Sequence, residues 1–369
     1  MNTGILGILL HQLPYQFKGI LVLSTIFFLL DLTLFVLVSI LLILRLLLYR
    51  RQAISELTSD VPTVAFLCCW PIAWLTLVAF VSLTASSASW GGYRFTVLAY
   101  VMWWIGAAWM FGMGLGVFFL VIHKKILSTQ GIAPPIHIPV VGLATVATIG
   151  GLIASFSVDI SVGMAIPVIV VSFFTAGVGI FMALILFALL LQHLFVEGLP
   201  PPEQAATMFI FVGPMGQSSA ALQLLGSAAS SYARFGQFEQ GTFLTRMAAA
   251  PLDVAGVLIS MLMTGFSVFW LLFAFIVMIH RAMRKELRWN PTWNAVIFPT
   301  GTLTNSMLMF SIEMDSSFFR VITAVLVVFL VLVFFVNLGF TAWEVGKGRL
   351  LIVRENPRVK KQLEEQKEQ

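Results

Sequence analysis

Charge is scarce in this chain: 10% of its 369 residues are Asp, Glu, Lys or Arg, while 59% are hydrophobic. A water-soluble domain cannot cover its surface with so few charges, so a soluble enzyme or binding module is excluded. Cysteine is scarcer still. The two cysteines, Cys68 and Cys69, are neighbours in an apolar run and point in different directions on a helix, which excludes a disulfide framework and a metal pair. A glycine-rich phosphate loop is lacking, as are a His/Cys/carboxylate cluster at metal spacing and a Ser/His/Asp set on plausible loops; no cofactor and no enzymatic chemistry are expected. The net charge of +5 invites thoughts of nucleic acid. In so apolar a chain its meaning lies instead in which loops carry the basic residues.

What is present is a series of long apolar runs, with a mean hydropathy of +0.99 over the whole chain. The sequence predicts an all-α polytopic membrane protein of ten transmembrane helices. The opening 13 residues are apolar but make up only about half the roughly 20 residues that a spanning helix needs, and read as a pore helix whose first half lies outside this chain. Nine further segments follow: 20–48, 64–85, 95–122, 140–155, 164–194, 205–229, 254–279, 293–314 and 318–343. The odd-numbered segments are shorter and carry Gly, Pro, Ser, Thr and Asn; the even ones are long and aliphatic or aromatic. Their polar cores, TGILG, PIAW, GLATVAT, GPMGQSS and PTGTLTNS, recur every roughly 70 to 85 residues, one helix pair per repeat. Five hairpins are therefore predicted, the inner odd helices lining a central pore and the outer even ones facing lipid. Loosely packed helices with a coincidental alternation are the competing reading.

Basic residues test the count. With ten spans, Lys18, Arg94, Arg234, Arg246 and Arg320 fall on one side of the membrane, and the rest of the 21 Lys and Arg fall on the side that holds both termini. By the positive-inside rule that side is the cytosol. Residues 1–346 are read as a transport domain and 347–369 as a charged, solvated cytosolic tail.

The block at 209–222, FIFVGPMGQSSAAL, is the most informative stretch. Pro214 removes a backbone hydrogen bond, Gly213 and Gly216 admit close approach, and Gln217, Ser218 and Ser219 need partners that lipid tails cannot supply. A tight helix crossing glued by small residues satisfies these needs, and so does a water-lined passage. Across the inner helices the hydrogen-bonding groups are neutral: Thr3, Thr145, Thr148, Gln217, Ser218, Ser219, Thr300, Thr302, Thr304 and Asn305. Dipoles hold an ion more weakly than fixed charge does, which suits an ion that must leave again. Neutral donors with basic loops at the mouths favour an anion, although hydroxyls also coordinate cations.

Three ionisable features stand apart. A charge at Asp31, mid-span, costs about 2.5 to 3.5 kcal/mol, so Asp31 faces protein as a buried hydrogen-bond partner or carries protons. His11 ends the first inner helix, either as an interfacial histidine or as a pH-responsive group at the pore mouth. Asp253 with Arg246, and Asp315 with Arg320, are expected to form ordinary surface pairs.

The motif LPPPEQ at 199–204, followed by GPMGQSS at 213–219, together with the opening MNTGI, resembles the sulfite-efflux branch of the tellurite-resistance and dicarboxylate transporter family, which also holds malate transporters and slow anion channels. The resemblance implies ten helices in five hairpins around a pore. It implies a plasma-membrane transporter exporting sulfite or bisulfite, with a dicarboxylate carrier or general anion channel as the alternative. It also implies a homo-oligomer, a trimer among the possible states, in which each protomer has its own pore within the lipid bilayer. In relatives an aromatic before a proline in the ninth helix blocks the pore; here WNAVIFPTG carries Trp293, Phe298 and Pro299, which transfers the gate to Phe298. Its other reading is one core aromatic among 33 phenylalanines.

Overall fold

The computed structural model describes residues 1–125 and 132–350; of the expected tail, residues 351–369 lie outside this range. Among the described residues all regular structure is helical, apart from one isolated bridge between Gln240 and Leu244. In chain order the α-helices are α1 (Asn2–His11), α2 (Ile20–Leu48), α3 (Arg50–Leu57), α4 (Val61–Phe66), α5 (Cys69–Phe80), α6 (Tyr93–His123), α7 (Ile138–Phe156), α8 (Val162–Glu197), α9 (Val212–Ala229), α10 (Arg234–Phe238), α11 (Arg246–Met283), α12 (Ile297–Glu313) and α13 (Ser317–Gly346). Nine helical stretches among them are long and apolar enough to cross a membrane. With 10 residues, α1 is shorter, about 15 Å of helix.

Burial alternates along the chain as the sequence predicts. The most apolar part of Pro134–Phe156 is 100% buried and that of Pro202–Ala229 94%, whereas Ile20–Leu48 and Ser317–Gly346 bury 17% and 22%. Every residue of α1 from Thr3 to Leu10 is buried. The helices of lowest hydropathy, Pro202–Ala229 and Pro291–Glu313, are thus among the ones covered by protein, because their backbone and hydroxyl groups have no partner in lipid. The buried helices touch one another in the order α1, α5, α7, α9, α12 and back to α1. Each also packs on the exposed helix that follows it: α1 on α2, α5 on α6, α7 on α8, α9 on α11, α12 on α13.

Proline sets how the buried helices begin. Short 3-10 segments, Pro134–His137, Pro202–Phe211 and Pro291–Val296, lead into α7, α9 and α12, and each carries proline in its first turn, where the missing N–H has no helical partner to lose. Asn290 caps the last of them by accepting from the Thr292 N–H at 2.9 Å. The predicted 64–85 segment is subdivided. It starts at Val61 behind an Asp60 cap that accepts from the Thr63 N–H at 2.7 Å, breaks after Phe66, resumes as α5 and ends in a π-turn over Val81–Ala85. Pro71 lies in the first turn of α5, not at the centre of a continuous helix.

Candidate functional site

The polar block of α9 is divided among several neighbours, as 100° per residue requires. Gly216 lies against α12 so closely that a Cβ there would sit 2.8 Å from the Leu303 amide nitrogen. Ser219, one turn on, is turned to α11: its hydroxyl is 2.8 Å from Thr264 Oγ1 and 2.6 Å from Ser306 Oγ, and those two are 2.8 Å apart. Three hydroxyls in a triangle supply three donors and three acceptors, so the set satisfies itself. Ser260 adds a bond to the Ser219 carbonyl at 2.9 Å, and Ser267 one to the Val212 carbonyl at 2.8 Å. The Gln223 amide nitrogen lies 3.3 Å from both the Ser219 and Ser306 hydroxyls. Sequence reasoning missed these α11 partners because the helix is greasy overall. The signal was Gly256, Ser260, Thr264 and Ser267, small and polar residues at helical spacing in an apolar run.

Gln217 behaves differently. The Thr148 hydroxyl donates to its backbone carbonyl at 3.0 Å, which fixes it on the α7 side of α9. Its side chain is 2% exposed and its amide oxygen has no hydrogen-bond partner. Asn305 on α12 repeats the pattern at 3% exposure, with its amide oxygen also unpartnered. The Gly216–Leu303 approach and the Ser219–Ser306 bond bracket the two amides at one level. On α12, Gly301 meets Ile5 of α1, and Thr302 donates to the Gly213 carbonyl of α9 at 3.3 Å. The arc between those two contacts carries Phe298 and Asn305, seven residues apart on one face, about 10 Å along the axis. Phe298 is 2% exposed.

The other predicted residues are distributed as follows. Thr145 bonds back to the Val141 carbonyl at 2.8 Å, Thr148 also to Ala144 at 2.9 Å, and Thr304 to Thr300 at 2.8 Å. The Ser218 and Thr300 hydroxyls are buried without partners. Thr300 lies two residues, about 200°, round the helix from Phe298. Thr3 donates to Asp31 rather than standing free, and His11 Nδ1 is 3.5 Å from Thr84 Oγ1 at the contact of α1 with the chain after α5.

Asp31 is the hub of α1, α2 and α5. It is 2% exposed, accepts from Thr3 of α1 and from Thr76 of α5 at 2.8 Å, and lies 2.8 Å from the Met1 amine. Ser24 of α2 adds a bond to the Gly7 carbonyl at 2.8 Å. These partners account for a carboxylate in mid-span by hydrogen bonding, the first of its two sequence readings. Asp31→Asn should therefore lower thermal stability by about 1.5 to 3 kcal/mol, the worth of hydrogen bonds to a charged acceptor, and leave the pH dependence of transport in place. A thermal melt beside a flux assay under a pH gradient checks both, and loss of gradient dependence in a stable variant would return the carboxylate to proton transfer.

The expected surface pairs divide. Arg320 pairs with Asp315, whereas Arg246 uses its backbone N–H to donate to Glu239 Oε1 at 2.9 Å and leaves Asp253 alone. Asp253 instead lies against Gly226, near enough for a Cβ there to come within 2.7 Å of its Oδ1, and beside Ser230. About two helical turns separate Arg246 from Asp253, and the α9 end was the nearer surface. Outside the spans, Arg234 bonds the Ala154 carbonyl at 3.0 Å and the Ile160 carbonyl at 3.3 Å, tying the chain after α9 to the end of α7; partial burial lowers its guanidinium pKa, offset in part by Tyr232.

The family model for the voltage-dependent anion channel SLAC1 matches residues 1–342. A sulfite efflux pump of Arthroderma benhamiae is 28% identical over 323 residues, which is 87% of this chain and 82% of the relative. The sulfite efflux pump of Trichophyton rubrum is 27% identical over the same shares. An uncharacterised transporter of Methanocaldococcus jannaschii is 25% identical over 276 residues, 73% of this chain and 70% of the relative. With the family model covering all the membrane helices but the last few residues of α13, the chain belongs to the SLAC1 family of voltage-dependent anion channels.

Proposed function

We propose that the protein exports sulfite or hydrogen sulfite across the plasma membrane, through a passage enclosed by the five buried helices of five hairpins. The observation that carries this reading is the pair of buried, unpartnered amides, Gln217 and Asn305, at one level of the ring formed by α1, α5, α7, α9 and α12. An unmet polar atom in a packed interior is costly, and it is tolerated where water or a passing ion supplies the partner. The names of the fungal relatives support sulfite as that ion. Neutral dipoles bind it weakly enough for release. Phe298, two turns toward the α12 N-terminus from Asn305, is the plug.

The excess of Lys and Arg on one side supports cytosolic termini. Residues 1–346 form the transport unit, and 347–369 a cytosolic appendage. The unit works as a homo-oligomer, a trimer in the expected form, with one passage per protomer and no cofactor.

Flux into proteoliposomes under an imposed pH gradient tests the assignment. Sulfite should move faster than malate or chloride at equal concentration. Faster malate would replace it by a dicarboxylate carrier, equal rates by a general anion channel, and no flux of any anion would reject the transport reading.

A further inference from the structure

We infer that the species moved is the singly charged hydrogen sulfite, whose own hydroxyl donates to the unpartnered amide oxygens of Gln217 and Asn305, and that the doubly charged sulfite ion is excluded. The inference rests on the passage proposed above and adds which protonation state it takes.

Two features of the ring lead there. The first is electrostatic. Among the described residues no lysine or arginine is buried, and the single buried carboxylate is Asp31, itself occupied by Thr3 and Thr76. The energy of removing an ion from water rises with the square of its charge, whereas its attraction to fixed dipoles rises only in proportion. A dianion therefore loses about four times as much as a monoanion on dehydration and recovers only about twice as much from amides and hydroxyls. Without a fixed cation at that level, the ring holds monoanions.

The second feature is the kind of group left over. An anion with no proton accepts hydrogen bonds and offers none, so a site for it needs donors alone. Here the buried atoms without a partner include four amide oxygens, which only accept; those of Asn2 and Gln223 lie at the start of α1 and beside the hydroxyl triangle, while Gln217 Oε1 and Asn305 Oδ1 share one level of the ring. Chloride and nitrate leave both unsatisfied. An oxyanion carrying a hydroxyl fills one as donor while its other oxygens accept from the amide nitrogens. A site built to bond a substrate hydroxyl passes analogues that lack it more slowly, because its own buried acceptor is then left unpaired.

The test uses the full chain in proteoliposomes with sulfite at fixed total concentration, from mildly acid to mildly alkaline pH, and nitrate flux at each pH as control. The ionisable side chains on the elements around this level are His11 on α1, Asp31 and Arg45 on α2, Cys69 on α5, the buried His137 leading into α7, Arg246, Asp253, His280 and Arg281 on α11, and Glu313 on α12; the nitrate control reports their titration. Sulfite flux divided by nitrate flux is expected to fall as pH rises, in proportion to the hydrogen sulfite fraction. In Gln217→Met and Asn305→Leu the same ratio at acid pH is expected to fall about tenfold in each. The ratio is independent of how much protein folds, so a destabilised variant still reports. A ratio constant with pH, or rising with the dianion, overturns the inference and leaves sulfite export standing. An unchanged ratio in both variants likewise overturns it. Absence of sulfite flux at every pH rejects the export reading and this inference together.

Discussion

Phe298→Ala is expected to raise sulfite flux per folded molecule by about tenfold or more, the change that a barrier lower by about 1.4 kcal/mol produces. The ring shares its face of α12 with Asn305 and lies in the arc between the contacts to α1 and α9, so its removal opens that arc and nothing else. An apolar constriction holds back ions by excluding water; a void that water enters lets a partly hydrated anion through. Discrimination among anions should fall at the same time, because a hydrated ion no longer has to exchange water for Gln217 and Asn305. A merely structural Phe298 gives the opposite signature. Truncating a core phenylalanine typically costs about 3 to 5 kcal/mol, which would reduce yield and flux together. Flux normalised to folded protein separates the two, and a fall in that quantity would reject the plug.

Gly216→Ala is expected to be a strongly damaging single-methyl change in the ring. The added Cβ would lie 2.8 Å from the Leu303 nitrogen and 3.0 Å from its Cα, and a helix backbone cannot rotate aside as a side chain does. Relief requires α9 and α12 to part. Overpacking of this kind costs about 1 to 3 kcal/mol, and the displacement also pulls Gln217 out of level with Asn305. Both thermal stability and flux should drop. Gly265→Ala on α11 is the control, since a Cβ there meets nothing within 4 Å and alanine favours the helix. If Gly216→Ala were as stable and as active as Gly265→Ala, the close approach of α9 and α12 would be wrong.

The alternation of buried and exposed helices was legible because hydropathy reports the solvent directly. Gly, Ser and Thr in α7, α9 and α12 belong inside protein, while the Val- and Phe-rich α13 tolerates lipid. The start at Pro291 was legible to within two residues because proline marked it, whereas α11 begins at Arg246, eight residues before the expected 254. The break after Phe66 was not, since nothing in the run from Val61 to Ala85 distinguishes a turn from helix by polarity.

The site was legible as residue types and not as partners. A block such as Gln217, Ser218, Ser219 reads as one polar surface, yet successive residues diverge by 100° and meet different neighbours. Ser219 closes a hydroxyl triangle with Thr264 and Ser306 on one flank while Gln217 remains open on the other. Thr3 likewise reads as a polar residue of an inner helix, while its partner Asp31, 28 residues away, is not legible from the sequence. Such pairings depend on register between helices, which one sequence does not encode locally.

The low hydropathy of the buried helices also bears on how the chain enters the membrane during synthesis. Pro202–Ala229 and Pro291–Glu313 have mean hydropathies of 1.2 and 1.3 over their best windows, against 2.4 and 3.1 for the helices that follow them. Each marginal segment therefore leaves the ribosome before the strongly apolar partner that covers it. Partitioning into lipid is weak for the first and strong for the second. The pair, rather than the single helix, is therefore expected to be the unit that inserts.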